Sequence, residues 1–384
     1  MIVTEGSLED KWRELWQRSE AQGDPQPPFE QLMTLFYERQ RHYHTRNHVA
    51  ACLMQFHNVA LKGALPKNKE AIEYAIWYHD AIYDPKKSDN EELSAKLATD
   101  VLSKAQLPVS LINEVERLIL MTAHHNPGED IDELIMADVD LSILGAEPGS
   151  YGYYKGGIRN EYSHVPLYLY RKGRIGVLEG FLQRLEAGEL FHLPVSQKNY
   201  KENAFSNMRR EINELKTLKV AIYAGSFDPP TNGHLHIIDR SRSLFDNLVV
   251  GIGQNPDKPT GRFKIEDRLE MLREITNGMR NVDITSYPQQ YLINFAKEVD
   301  AGYVVRGLRS EKDWDSESTI DEFGYGVHPE VTTIFLRTPD ALSRISSSFV
   351  MGLVDSDPNW QEAVKERVPD AVFQRILTKG QVYF

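Results

Sequence analysis

Residues 219–234 read Lys-Val-Ala-Ile-Tyr-Ala-Gly-Ser-Phe-Asp-Pro-Pro-Thr-Asn-Gly-His, and this stretch decides the fold. Lys219–Tyr223 is a short β-branched run ending in Gly225, which predicts a strand entering a turn. A helix is predicted from about Gly233 to Phe245. The turn therefore sits at the carboxyl end of a strand and opens a helix, the crevice where ligands bind in an open α/β sheet. Backbone N–H groups at such a helix start point toward an anion, and Gly233 allows a phosphate to come close. His234, on the first turn, is placed to donate a hydrogen bond to a phosphoryl oxygen.

Downstream the same alternation repeats. Strand-like runs recur at Leu248–Ile252, Val282–Ser286, Tyr303–Arg306 and Thr332–Leu336, with helical patterns such as Ile265–Ile275 and Tyr291–Val299 between them. Strands alternating with helices of this length predict a Rossmann-like α/β domain built on a parallel sheet. Upstream the period is helical nearly throughout. Glu70–Tyr83 and Asn90–Ala105 carry apolar residues at three- and four-residue spacing, and Asp89 is placed to cap the second of them. No strand alternation precedes about residue 215. Residues 1–215 are thus expected to form an all-α domain and 216–384 an α/β domain, joined by the charged helix that ends near Leu215.

Composition narrows the function. Among 384 residues, 44 Lys and Arg face 56 Asp and Glu, a net charge of −12 with a pI near 5.5. Such a surface repels a polyanion, which argues against nucleic-acid binding and leaves room for a local basic pocket that takes a small phosphorylated ligand. The single cysteine, Cys52, lies in the apolar run Val49–Met54 and reads as a buried thiol in a reducing compartment. The N-terminus turns acidic at once, unlike a signal peptide, and no apolar run approaches the roughly 20 residues that span a bilayer. The expectation is a cytoplasmic protein with no membrane association.

The string Gly225–His234 resembles the signature of nucleotidyltransferases with a Thr/His-x-Gly-His motif, and within them the phosphopantetheine adenylyltransferase family. Lys258 after Asn255-Pro256, Arg306-Gly307-Leu308-Arg309, Asp313, Glu317 and Ile345-Ser346-Ser347-Ser348 continue the resemblance in order, over about residues 219–384. It implies attack of a phosphomonoester, 4′-phosphopantetheine, on the α-phosphate of ATP with Mg²⁺, releasing pyrophosphate. Under it Ser226 holds the incoming phosphate, His234 stabilises charge on the α-phosphate, and Lys258 and Arg306 flank the phosphates. Tyr223, Gly225, Phe227, Gly233, Gly307, Arg309 and Glu317 line the nucleotide side, and Leu292 meets the pantetheine arm. Ser346, Ser347 and Ser348 open a nucleotide-contacting helix, although they also read as a plain helix cap. Homo-oligomers are implied as well. Trp314-Asp315-Ser316, Phe323–Pro329 and Ala341–Arg344 depart from the family pattern around the base and acceptor, which leaves a different phosphomonoester acceptor as the alternative.

In the first half, His42-Tyr43-His44…His48, His79-Asp80, His124-His125 and Asp138-Val139-Asp140 supply imidazoles and carboxylates that a helical bundle can bring to one divalent ion. Their order resembles the HD superfamily of metal-dependent phosphohydrolases. More narrowly, His42–His48, His79–Asp84, Asp89–Ala95 and Asp138–Gly145, followed by Tyr151, Tyr154, Arg159, Glu161 and Tyr162, match a predicted bacterial group of that superfamily. By analogy the ligands are His48, His79, Asp80 and one of Asp138 and Asp140, with Asp138 preferred. His124 is a second ligand or a phosphate contact, while Asp84, Asn90 and Glu91 support the site or cap the next helix. Mn²⁺, Fe²⁺, Co²⁺, Ni²⁺ or Zn²⁺ suits such donors. The resemblance implies hydrolysis of a phosphorylated small molecule or nucleotide by a water that the ion activates, or a non-catalytic ligand-sensing role beside the transferase.

Overall fold

In the computed structural model, which describes residues 5–253, 261–288, 290–309, 314 and 328–380, the alternating run becomes β1 (Val220–Gly225). Val220 and Ile222 face one side of the sheet, while Ala221 and Tyr223 face the other, and each of these four side chains is buried. A strand buried on both faces belongs in the middle of a covered parallel sheet. It pairs in parallel with β2 (Asn247–Gly253) on one side and β4 (Tyr303–Leu308) on the other, and the sheet runs β3 (Val282–Tyr287), β2, β1, β4, β5 (Thr332–Arg337). The chain thus builds outward from β1 through β2 to β3, then returns to the opposite side for β4 and β5. The reversal falls between β1 and β4. Their ladder holds three residue pairs and stops at Tyr223 opposite Val305, whereas the other three ladders hold six.

Among the described residues, ten α-helices precede the sheet: α1 (Glu5–Arg18), α2 (Gln26–Phe36), α3 (Arg46–Leu61), α4 (Lys69–Tyr78), α5 (Asn90–Lys104), α6 (Val109–Thr122), α7 (Ile131–Asp140), α8 (Pro148–Glu161), α9 (Leu167–Ala187) and α10 (Pro194–Thr217). After β1 come α11 (Asn232–Arg242), α12 (Ile265–Ile275), α13 (Leu292–Glu298), α14 (Asp340–Ser343), α15 (Ser347–Ser356), α16 (Trp360–Lys365) and α17 (Asp370–Gly380). The chain divides into two compact units, Met1–Val165 with Lys172–Leu215, and Pro166–Arg171 with Lys216–Phe384. The short segment Pro166–Arg171 joins the second unit because the Leu167 amide donates to Asp283 (2.9 Å) and Arg171 donates to the Asp300 carbonyl (2.7 Å).

The helical unit is organised on aromatic packing. Trp12, Phe29, Tyr74, Trp77 and Tyr78 are almost wholly buried and meet edge to face, with Trp12 and Trp77 centroids 5.4 Å apart. Two local expectations change. The helix predicted to reach Tyr83 ends at Tyr78, with His79 as its C-cap, and Asp89 occupies the N-cap position of α5 without making a side-chain cap bond. Gly145 closes the 3₁₀ turn Leu141–Gly145 against α10. A Cβ there would come within 2.6 Å of the Tyr200 backbone, so only glycine permits the approach. Among the described residues, no helix is long and apolar enough to cross a membrane.

Candidate active sites

In the α/β unit the turn after β1 carries its own support. Phe227 adopts a left-handed conformation (φ 46°) and is fully buried, its ring 5.6 Å from Tyr223 and 5.0 Å from His234. Asp228 accepts hydrogen bonds from the amides of Arg262 (2.8 Å) and Phe263 (2.9 Å), which ties the start of the α12 segment to the turn. Thr231 caps α11: its hydroxyl accepts the His234 amide, and its own amide donates to His234 Nδ1 at 3.0 Å. This reciprocal box satisfies two orphan amides of the helix start. It also sets the imidazole, because an Nδ1 that accepts places the proton of the neutral ring on Nε2.

His234 Nε2 points to the mouth between β1 and β4, where Arg309, one residue past β4, brings Nη2 to 3.5 Å. Burial, and then the Arg309 charge, lower the His234 pKa to about 3, so the ring is neutral at physiological pH. Two N–H donors thus converge on one spot, an arrangement that suits a phosphoryl oxygen. The start of α15 comes to the same place. Ser346 caps it by accepting the Phe349 amide (3.0 Å), and Ser347 donates to the Pro229 carbonyl (2.8 Å), latching α15 to the turn before α11. The positive ends of two helices then face one crevice.

In the helical unit His48, His79, Asp80 and Asp140 converge. His48 Nε2 lies 3.1 Å from His79 Nε2, 3.5 Å from Asp80 Oδ2 and 3.0 Å from Asp140 Oδ1. His79 Nε2 lies 3.1 Å from Asp80 Oδ2 and 3.5 Å from Asp140 Oδ1. Four donor atoms at about 2.1 Å from a common ion would stand roughly 3.0–3.4 Å from one another, so these spacings fit a divalent cation. The donor set, two imidazoles and two carboxylates, suits it chemically. His79 Nδ1 donates to the Ile76 carbonyl (3.0 Å), which leaves Nε2 as the lone-pair side of the neutral ring. Burial alone would lower the His79 pKa, but Asp80 and Asp140 outweigh it and raise it well above the ordinary value. Asp140 is held well below the usual carboxylate range: burial works against this, and His79, His125 and His48 overcome it. Cys52 sits 3.7 Å from His48 Nε2, but burial and the two carboxylates push its thiol pKa up, so it remains a protonated apolar neighbour.

Support for this cluster is dense. The buried Arg41 guanidinium donates to the carbonyls of His44 (3.0 Å), Asp80 (2.6 Å) and Ala81 (2.7 Å), fixing the chain where α4 ends and the ligands begin. Glu161, equally buried, accepts the amides of His42, Tyr43 and His44 at 2.7–3.0 Å together with His44 Nδ1 (2.8 Å) and the Tyr83 hydroxyl (3.0 Å). Burial would raise the Glu161 pKa, yet the His44 bond and these amides hold it at about 2.

The sequence profile of the cytidylyltransferase-like family matches residues 222–352. Phosphopantetheine adenylyltransferase of Neisseria meningitidis serogroup C (strain 053442) is 41% identical over 165 residues, 43% of this chain and 96% of its own. The enzymes of that name from Chromobacterium violaceum (strain ATCC 12472) and Caldanaerobacter subterraneus subsp. tengcongensis (strain DSM 15242) are both 38% identical. Each covers 42% of this chain, and they are spanned over 97% and 98% of their lengths respectively. The chain belongs to the phosphopantetheine adenylyltransferase family. The similarity takes in nearly all of each relative and leaves more than half of this chain outside it.

Of the positions that the adenylyltransferase pattern implies, the structure brings His234, Arg309, Gly225, Gly233 and Ser346–Ser348 to the crevice, with Arg306 and Gly307 on the last residues of β4. Ser226 is exposed on the turn, its carbonyl accepting from Arg268 (2.8 Å). The Phe227 ring is wholly inside and supports the turn against Tyr223 and His234. Leu292 opens α13 and packs against the cluster containing Tyr287 and Phe295, which includes the Val220 and Ile222 face of β1 rather than the Tyr223 face. Lys258, Asp313 and Glu317 lie outside the described residues.

Two expectations in the helical unit are also corrected. Asp140, not Asp138, joins the histidines: neighbours two apart on a helix point about 200° from each other. Asp138 turns the other way, and its carboxylate accepts the amides of His192 and Leu193 (both 2.8 Å). His124 is exposed, whereas His125, in a left-handed turn (φ 46°) past α6, brings Nε2 to 2.7 Å from Asp140 Oδ2. The adjacent pair His124-His125 was the visible signal, but only the turn decides which ring faces inward. Asp84 and Asn90 brace their loop, the Asp84 amide donating to Asn90 Oδ1 (3.0 Å).

Proposed function

We propose that the α/β unit transfers the adenylyl group of ATP to 4′-phosphopantetheine, giving dephospho-coenzyme A and pyrophosphate. The observation that carries this reading is the pair of donors, His234 Nε2–H and Arg309, converging at the reversal of the sheet beside the starts of α11 and α15. In such a reaction the protein forms no covalent bond; positioning and charge neutralisation lower the barrier. Ser226 orients the acceptor phosphate at the mouth. The attacking oxygen displaces pyrophosphate from the α-phosphorus while His234, already neutral and fixed in tautomer, donates to an α-phosphoryl oxygen as negative charge builds there. Arg309 supplies full positive charge, and the α15 start meets the departing phosphates. Mg²⁺, bound through nucleotide oxygens, would neutralise further phosphate charge. The test is pyrophosphate release from ATP and Mg²⁺ with and without 4′-phosphopantetheine. Acceptor-dependent release that His234→Ala reduces at least a hundredfold supports the reading; release indifferent to the acceptor refutes it.

The helical unit, on our proposal, is a metal-dependent phosphohydrolase. Its support is the four-donor cluster, with His48, His79, Asp80 and Asp140 as the residues that would hold the ion. When bound, the ion would supply Lewis acidity toward a phosphoryl oxygen and toward water. The chain itself orients the donors: Arg41 pins the Asp80 segment, Glu161 pins the His44 segment, and His125 aims Asp140. Mn²⁺-dependent phosphate release that disappears in Asp80→Ala supports a hydrolase. Mn²⁺ binding without turnover of any phosphorylated compound supports the sensing role instead.

A further inference from the structure

A cavity of about 580 Å³ opens beside the helical unit's histidine–aspartate cluster. Its wall includes Ile82 and Tyr83, two and three residues past Asp80 in the chain, and Glu161. The His44 ring links it to the cluster, 4.3 Å from the Tyr83 ring on one side and 5.9 Å from the His48 ring on the other. A volume of this size accommodates a small-molecule metabolite.

Three cations and three carboxylates line the cavity, but the two sets are not paired with each other. Arg39, Lys86 and Lys87 are exposed on its rim, with His42 and His164 beside them. Its three carboxylates are already engaged. Glu38 accepts from Arg41 Nε (3.0 Å) and from Gln40 (2.9 Å). Asp84 Oδ1 accepts the Lys86 amide (3.0 Å), and Glu161 is saturated by backbone amides, His44 and Tyr83. No ion pair joins Arg39, Lys86 or Lys87 to a carboxylate among the described residues, although the chain as a whole carries −12. Exposed cations with no carboxylate partner on the rim of a cavity are an arrangement that can hold a small anion.

We infer that this cavity binds a second anionic group of the hydrolase substrate. The substrate class is then a compound with two separated phosphates, one at the histidine–aspartate cluster and one against Arg39, Lys86 and Lys87. The inference rests on reading that cluster as a hydrolytic centre, and it narrows the substrate to bisphosphorylated metabolites over simple monophosphates.

Calorimetric titration of the full chain with fructose 1,6-bisphosphate and fructose 6-phosphate, in Mn²⁺ and in EDTA, tests it. These probes lack a base, and any binding at the α/β unit is common to wild type and cavity variants. With Mn²⁺, the bisphosphate is expected to bind about tenfold tighter than the monophosphate, and R39A/K86A/K87A to abolish that preference. Equal affinities in the wild type, or a preference that survives the triple substitution, overturn the inference. In EDTA the bisphosphate is expected to bind more weakly but still lose affinity in the triple variant; identical EDTA affinities for wild type and variant overturn the cavity assignment whatever the ion does. The underlying metal reading fails separately, if Mn²⁺ added without any sugar does not bind the wild type by electron paramagnetic resonance.

Discussion

Replacing His234 by Gln separates what the imidazole does for folding from what it does for the phosphate. Gln preserves the Thr-x-x-Gln capping box, so the start of α11 should survive. The wild-type ring, with a pKa lowered from 6.5 to about 3, resists protonation while folded. As pH falls below 6.5 the unfolded chain takes up a proton that the folded chain refuses, so stability is complete above that value and is lost progressively toward pH 3. Between pH 7 and pH 5 this linkage amounts to about 2 kcal/mol, which Gln at 234 cannot contribute. Urea unfolding of the α/β unit at the two pH values should therefore show the wild type losing about 2 kcal/mol more than His234→Gln. Nitrogen-15 spectra of histidine-labelled protein should show the His234 Nε2–H tautomer unchanged from pH 8 to pH 5. A titration midpoint near 6.5, or parallel stability losses in the two proteins, would refute the argument that burial and Arg309 hold the ring neutral.

Other outcomes follow from the same geometry. An alanine Cβ at Gly233 would meet no protein atom closer than 3.6 Å, so Gly233→Ala should fold with stability unchanged or raised by up to about 1 kcal/mol while adenylyl transfer falls at least tenfold, measured by thermal unfolding beside pyrophosphate release. Asp140→Asn should abolish Mn²⁺ binding, read by paramagnetic resonance, whereas Asp138→Asn should keep it and cost roughly 1–3 kcal/mol because two amides lose a charged acceptor. Arg41→Met leaves three carbonyls without their donor inside the protein and should destabilise the helical unit by roughly 3 kcal/mol or more, with loss of Mn²⁺ affinity; an unchanged urea midpoint would contradict its role.

The sheet was legible because its physics is local. Val220, Ala221, Ile222 and Tyr223 announce a doubly buried strand, and the Gly225–His234 string gives both the turn and the helix start. Strand order was not legible, since nothing in β4 says on which side of β1 it returns. In the helical unit, residue types and order suggested a metal cluster, but helix phase alone separates Asp140 from Asp138, and a single left-handed residue separates His125 from His124. Arg41 and Glu161 were harder still. Their importance lies in carbonyls and amides distant in sequence, such as Glu161 reaching His42–His44, and no side-chain pattern encodes such partners. The α4 boundary was misjudged for a related reason: apolar spacing continues through Tyr83, while Arg41 draws the chain out of helix at His79.

The short ladder between β1 and β4 gives the crevice a mechanical meaning. Past Tyr223 and Val305 the sheet is unzipped, and the two halves of the domain, β1–β3 and β4–β5, are no longer stitched by paired strands at that end. A nucleotide gripped by His234 from one half and Arg309 from the other would serve as the missing rungs. Occupancy at a hundred times the dissociation constant would add about 2.7 kcal/mol to the closed sheet. The gain should concentrate in the second half, slowing amide exchange in β4 and β5 more than in β2 and β3, so the ligand completes the fold that binds it.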